Sequence, residues 1–226
     1  MTTSYIDTRP EHLTSHRTSW FFTRWVDELF LVRDPAYNLG VWNRAVSPAL
    51  ESFVTAKLSL HAVKQQIVWR PGDDVSSLLP DALRTGEHLE FLRDVERLAT
   101  VCQAISQTDQ LTIKLETVRS NLCERFHVDQ VPWRMVCTYA GPGTEWLDDA
   151  DVDRSRLGPG SGGLPDELSG LLRSGAVIHH MERYAVGLMK GARWPGQPGR
   201  GLVHRSPPIR GTDLTRVLLK MEPASR

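Results

Sequence analysis

Leu111-Thr-Ile-Lys-Leu-Glu116 marks the point where the chain changes its period. Leu111, Ile113 and Leu115 alternate with Thr112, Lys114 and Glu116. Neighbouring side chains of an extended strand point to opposite faces, so this alternation predicts a strand with one buried face. Further strands are predicted at Arg134–Tyr139, Tyr184–Met189, Gly201–His204 and Thr215–Lys220, all short and separated by turn-forming residues. Many short strands point to a sandwich or barrel. Gly158-Pro-Gly-Ser-Gly-Gly163 reads as a flexible loop, and Trp194-Pro-Gly-Gln-Pro-Gly199 as a turn-rich crossing.

Before this point the period is helical. Leu92, Val95, Ala99, Cys102 and Ile105 recur at steps of three and four residues, the spacing of one buried helix face over Leu89–Ile105. Ser47-Pro48 begins another helix, with an N-cap hydroxyl and a proline at the first position, where a missing N–H costs nothing. Val54, Leu58 and Val63 give it an apolar side. The aromatic run from Trp20-Phe21-Phe22 to Phe30-Leu31 is also read as helical, although its many large apolar residues blur the period. The expectation is an α+β chain, with a helical N-terminal region over 1–109 packed on a strand-rich core over 110–226. No Pro/Gly/Ser linker divides the two, so they form one compact unit.

Bulk composition excludes more than it selects. Lys plus Arg and Asp plus Glu are each 27, a net charge of zero that makes no broad electrostatic case for nucleic acid or an anionic membrane. No segment approaches the ~18 apolar residues of a membrane span, and Met1-Thr-Thr-Ser-Tyr-Ile-Asp7 lacks the basic start and apolar stretch of a signal peptide. Cys102, Cys123 and Cys137 are odd in number and form no CxxC pair, which argues against a disulfide scaffold. Together these predict a soluble, cytoplasmic protein with reduced thiols.

The chemistry concentrates in three later motifs. His127-Val-Asp129 would put two potential ligands on one side of an extended strand, with Val128 facing the other way. His204 follows 77 residues later (204 − 127), a gap suited to a jelly roll, where distant strands meet side by side. Two imidazoles and a carboxylate occupy one face of an octahedral ion and leave positions open, the ligand set of non-heme Fe(II) oxygenases. Arg216 lies 12 residues beyond His204 (216 − 204), and its planar fork can hold a carboxylate through two parallel hydrogen bonds. Ser206 could add a hydroxyl to the same carboxylate, and Arg210 is the alternative cation. An HxD tripeptide is common by chance, so the downstream residues carry much of this reading.

The set His127, Asp129, His204, Ser206 and Arg216 resembles the closing motif of the 2-oxoglutarate-dependent oxygenases. That resemblance implies a double-stranded β-helix (jelly-roll, cupin-like) core and Fe(II) on His127, Asp129 and His204. It also implies 2-oxoglutarate, a small-molecule co-substrate, on Arg216. Thr138 and Tyr139, on the strand after the HxD motif, fall where such sites touch the co-substrate; a core aromatic is the competing reading of Tyr139. A longer resemblance covers most of the chain from about residue 38. Asn38-Leu-Gly-Val-Trp42, Cys123-Glu-Arg-Phe-His-Val-Asp129, Cys137-Thr-Tyr-Ala-Gly-Pro-Gly-Thr-Glu-Trp146, Met189-Lys-Gly191 with Trp194-Pro195, and His204-Arg-Ser-Pro-Pro208 resemble the bacterial family known as domain of unknown function 1826. Some of its members occur beside metal-handling genes, which implies a metal without naming it.

Other readings stay open. Thr144 and Trp146, in a turn-rich segment, and Lys190 are candidate substrate or rim positions, weighed against a plain turn and a solvated lysine. His179 and His180 are adjacent and would point apart. The three ligands could hold zinc instead, in a hydrolase with a metal-bound water or in a metal-binding or metal-homeostasis protein. Cys123 or Cys137 would then be the closing thiolate.

Overall fold

The computed structural model describes residues 18–120 and 122–224. The N-terminal stretch read above for a signal pattern lies outside them. Strands β1 (Trp20–Thr23), β2 (Leu39–Trp42) and β3 (Lys64–Trp69) share the front of the chain with helices α1 (Pro48–Ala56) and α2 (Leu89–Ser106). The back holds β4 (Leu111–Val118), β5 (Trp133–Ala140), β6 (Glu145–Leu147), β7 (Ile178–His180), β8 (Val186–Lys190), β9 (His204–Arg205) and β10 (Arg216–Pro223). A seven-stranded sheet runs in the order β1-β2-β8-β5-β10-β4-β3, and a three-stranded sheet in the order β7-β6-β9. No helix among the described residues is long and apolar enough to cross a membrane.

Both predicted helices form, although the first ends at Ala56, so Leu58 and Val63 lie beyond it and its buried side is Leu50, Phe53 and Val54. Ser47 Oγ accepts from the Leu50 N–H at 3.2 Å, with Pro48 in the first turn. Helix α2 buries Leu92, Val95, Ala99, Cys102 and Ile105, together with Phe91 and Leu98, against one face of the large sheet. Each such aliphatic or aromatic side chain contributes on the order of 1.5–3 kcal/mol relative to exposure.

Period two sorts the central strands between two layers. Val217, Leu219 and Met221 of β10, with Met135, Cys137 and Tyr139 of β5, face the helices. Leu218 and Val136 face the other way and join Trp146 and Leu202 in a second cluster between the sheets. Even-numbered residues of β10, and of β5 up to Thr138, therefore point toward the small sheet, and a bulge where Val217 pairs with Ala140 turns Ala140 to the helix side.

The front of the chain is mixed, in place of the helical region expected over 1–109. The run Trp20–Leu31 is a strand followed by a 3-10 helix over Val26–Arg33. β1 pairs in parallel with β2, β2 pairs with β8, and β3 extends the sheet beyond β4. All four residues of β2 are buried. A strand covered on both faces shows no alternation, so periodicity could not reveal it. Residue 110 is consequently no boundary in the sheet, because strands from both sides of it interleave.

Candidate metal centre

His127 does not lie in a regular strand. It forms a single antiparallel bridge with His204, each backbone N–H donating to the other's carbonyl at 3.0 Å. The bridge brings the two imidazoles side by side, ring centroids 4.6 Å apart. Upstream, Phe126 is buried with Leu147 and Val203, and its N–H donates to Asp166 Oδ2 at 2.8 Å. Downstream, the Asp129 carbonyl accepts from Ala192 at 2.8 Å and the Val131 carbonyl from Arg193 at 3.1 Å. This clamp requires close backbone approach. A Cβ on Gly191 would stand 2.0 Å from Val131 O, and one on Gly201 would stand 2.5 Å from the Val128 side chain.

Three donor groups converge on the resulting corner. His127 Nε2 lies 3.5 Å from Asp129 Oδ1, and His204 Nε2 lies 3.3 Å from Asp129 Oδ2. One ligand atom from each residue falls within 4.8 Å of the others. The far nitrogens face backbone carbonyls: His127 Nδ1 is 2.9 Å from Arg125 O, and His204 Nδ1 is 3.1 Å from Leu202 O. With Nδ1–H donating there, each Nε2 presents a lone pair to the corner, the arrangement that orients metal-bound imidazoles. Burial alone would raise the Asp129 carboxyl, but hydrogen bonds from the Nε2–H of protonated His127 and His204, with the charges of His204 and Arg134, hold it well below the usual carboxylate range; a metal ion would take the place of those two protons. Burial would lower His127, and the bonds to Asp129 and the Arg125 carbonyl reverse that, leaving it raised.

These residues fit a divalent ion. Asp129 Oδ2 is buried and has no aligned hydrogen bond among the described residues, although Arg134 Nη1 stands 2.6 Å away. His204 Nε2 stands 3.3 Å from this oxygen and His127 Nε2 3.5 Å from Oδ1, so a cation in the corner would meet carboxylate oxygens and neutral imidazole nitrogens together. Three protein ligands on one side would leave coordination positions for other molecules.

Beside this corner opens a small cavity of about 60 Å³, with His127, His204, Cys123 and Ser206 on its walls and Arg216, Leu218 and Lys220 along its β10 side. Arg216 is 2% exposed. Its Nη2 donates to Thr144 Oγ1 at 2.7 Å and to Thr138 Oγ1 at 3.2 Å, while Nε has no partner among the described residues. Burial pushes its pKa down to about 10, with the charge of Glu145 pulling the other way, so the group stays cationic at neutral pH. A buried guanidinium with hydroxyl partners and no carboxylate in ion-pair contact is set up to receive an anion.

The other sequence-derived candidates separate clearly. Ser206 and Thr144 line the cavity, and Thr138 supports Arg216. Tyr139 is on the opposite face of β5, buried against Phe91, its hydroxyl donating to Asp94 Oδ2 at 2.6 Å. Period two decides this, since Thr138 faces the cavity and the next residue cannot. Trp146 is fully buried, stacked on His179 at 5.2 Å, and is a core residue between the sheets. Lys190 is buried away from the cavity, where Nζ donates to Asp34 O and Gln197 Oε1, each at 2.9 Å. Arg210 pairs with Glu124 at the surface, and His180 approaches Glu145 at 3.6 Å. Cys137 lies on the helix side of the sheet near Arg44, so it cannot be a ligand. Cys123 lines the cavity outside the group of three donors.

Two residues at the site had escaped the sequence reading. Arg134 contacts Asp129, and Lys220 lines the cavity while pairing with Glu116 at 2.6 Å. Strand parity carried a signal for Lys220, which shares the face of Arg216. Nothing local marked Arg134, because Asp129 sits outside any strand whose register could predict the pair.

A family model described as "Protein of unknown function (DUF1826)" matches residues 26–222. Among solved structures, an oxygenase candidate from Shewanella oneidensis aligns over 92% of this chain and 90% of its own, at 11% identity and a TM-score of 0.50. Dioxygenase for auxin oxidation 1 from Arabidopsis thaliana, in its complex with 2-oxoglutarate, aligns over 92% of each chain at 8% identity and a TM-score of 0.50. At such identities the likeness is one of fold. No curated protein matches the sequence.

Proposed function

The chain belongs to the DUF1826 family, and from that premise we propose that it is a non-heme Fe(II), 2-oxoglutarate-dependent dioxygenase with a double-stranded β-helix core. His127, Asp129 and His204 would hold the iron. Arg216, aided by Thr138, Thr144 and Ser206, would hold the acid end of 2-oxoglutarate. When bound, these groups supply an oxidation in which 2-oxoglutarate, dioxygen and a substrate R–H give succinate, carbon dioxide and R–OH.

The observation that carries this reading is Arg216, a buried cation without an ion-pair partner among the described residues, in the same cavity as the three donors. A structural role alone would leave its charge uncompensated, whereas a bound carboxylate would satisfy it. The two threonine hydroxyls fix the guanidinium plane, and β10 places it on the face toward His204. The Nδ1 contacts hold both imidazoles in the tautomer a cation needs. Burial of Arg216 itself strengthens its attraction for an entering carboxylate.

Anaerobic titration of the Fe(II)-loaded protein with 2-oxoglutarate tests the assignment. Binding should be saturable and depend on Arg216, and admitting oxygen should release succinate even without the main substrate, slowly. Absence of both binding and succinate would sink the proposal.

A further inference from the structure

Arg134 divides its guanidinium between two carboxylates from distant parts of the chain. Nη1 lies 2.6 Å from Asp129 Oδ2, and Nε donates to Glu222 Oε2 at 2.8 Å. Glu222 also accepts from Lys114 Nζ at 3.2 Å. Arg134, Glu222 and Lys114 stand on β5, β10 and β4, three adjacent strands locked by continuous pairing. Asp129, by contrast, sits on irregular backbone two residues beyond an isolated bridge. Regular sheet thus adds a rigid anchor for the Asp129 carboxylate, whose segment is otherwise held through backbone bonds from Ala192 and Arg193.

The charges have a matching logic. A lone cation this close to Asp129 would repel an incoming metal ion. Glu222 offsets that charge, so Arg134 can hold the carboxylate with little net opposition to the ion. The contact with Oδ2 also lacks the alignment of a hydrogen bond, so lone pairs of that oxygen remain available.

We infer that Arg134 is a positioning residue for the metal centre, holding Asp129 in ligand orientation from a sheet-anchored network with Glu222 and Lys114. The inference rests on the metal-site reading above. Its test needs no turnover: Co(II) titration of the metal-free protein, followed by visible absorption. Outer groups that orient ligands typically change metal affinity by about 10–100-fold. Arg134→Met should therefore weaken Co(II) binding about tenfold or more and alter the absorption bands, and Arg134→Lys should recover part of both. An Arg134→Met protein with wild-type affinity and bands overturns the inference. If that variant does not fold, Glu222→Gln decides. Weakening on the order of threefold supports the network, as a reduced form of the same effect, and unchanged affinity overturns it. Wild-type protein that binds no Co(II) defeats the metal site and this inference together. Binding by wild type with indifferent variants defeats this inference alone.

Discussion

Replacing Arg216 with methionine should stabilise the ligand-free protein while abolishing its hold on 2-oxoglutarate. The guanidinium is 2% exposed and its Nε has no partner. Its pKa falls to about 10, about 2.5 below the ordinary guanidinium value. At ~1.4 kcal/mol for each pKa unit, the buried cation costs the free fold roughly 3.5 kcal/mol. The sign follows from linkage: a base with a folded pKa below its unfolded one opposes folding throughout the range below the folded value. Neutral pH lies inside that range. Methionine removes the charge at similar length but strips Thr138 and Thr144 of a donor, two bonds whose loss together costs about 1.5 kcal/mol. The net gain is about 2 kcal/mol, or ~4–8 °C in melting temperature for a chain of this size. Thermal unfolding in the presence of a chelator measures it. In the wild type loaded with metal, 2-oxoglutarate at 100 times its Kd should add ~2.7 kcal/mol, and in Arg216→Met nothing. A variant that melts below wild type, or that binds 2-oxoglutarate unchanged, would refute the reasoning.

Three further outcomes follow from the geometry. Tyr139→Phe removes the bond to Asp94 and should destabilise the fold by ~1.5–3 kcal/mol without changing 2-oxoglutarate affinity in a calorimetric titration; weaker binding would return Tyr139 to the site. Gly191→Ala puts a Cβ 2.0 Å from Val131 O and 3.0 Å from Asp129 O, which should cost ~1–3 kcal/mol and weaken metal binding with it. Normal stability and metal affinity together would show that the clamp is slack. Burial would raise the Glu222 carboxyl, but the bonds and charges of Arg134 and Lys114 hold it below its ordinary value. Its contribution is therefore present above the usual carboxylate range and lost as the pH falls through the folded value. Glu222→Gln should flatten the acid side of a stability-against-pH curve, and a curve parallel to wild type would contradict this.

How far each feature could be read in advance depended on how local its cause is. The cap at Ser47 and the stripe from Leu92 to Ile105 are set by residues within a few turns of one another, and both appear as read. The even-numbered face of β10 was equally legible, since alternation within one strand puts Arg216, Leu218 and Lys220 together. Tyr139 was misplaced because its strand, though predicted, had no assigned facing; one residue of register moves a side chain from the cavity to the helix layer. β1 and β2 were missed for another reason. β2 is covered on both faces while β1 leaves Phe22 exposed, and a four-residue strand leaves no periodic trace. Trp146 and Lys190, adjacent to real features in sequence, were drawn into the site by that adjacency alone.

By itself the chain determined which side chains have the chemistry: two histidines and an aspartate as ligands, an arginine for an anion, and the helical and extended periods around them. These follow from side-chain identity and from spacing over a few residues, both contained in a short stretch of chain. Tertiary structure decided which of them meet. The bridge between His127 and His204, the backbone clamp through Gly191 and Gly201, the bonds of Arg216 to Thr138 and Thr144 and the reach of Arg134 to Asp129 all depend on tertiary pairing, most of it between segments far apart in sequence. Such contacts arise from sheet order and layer packing, which no local pattern encodes.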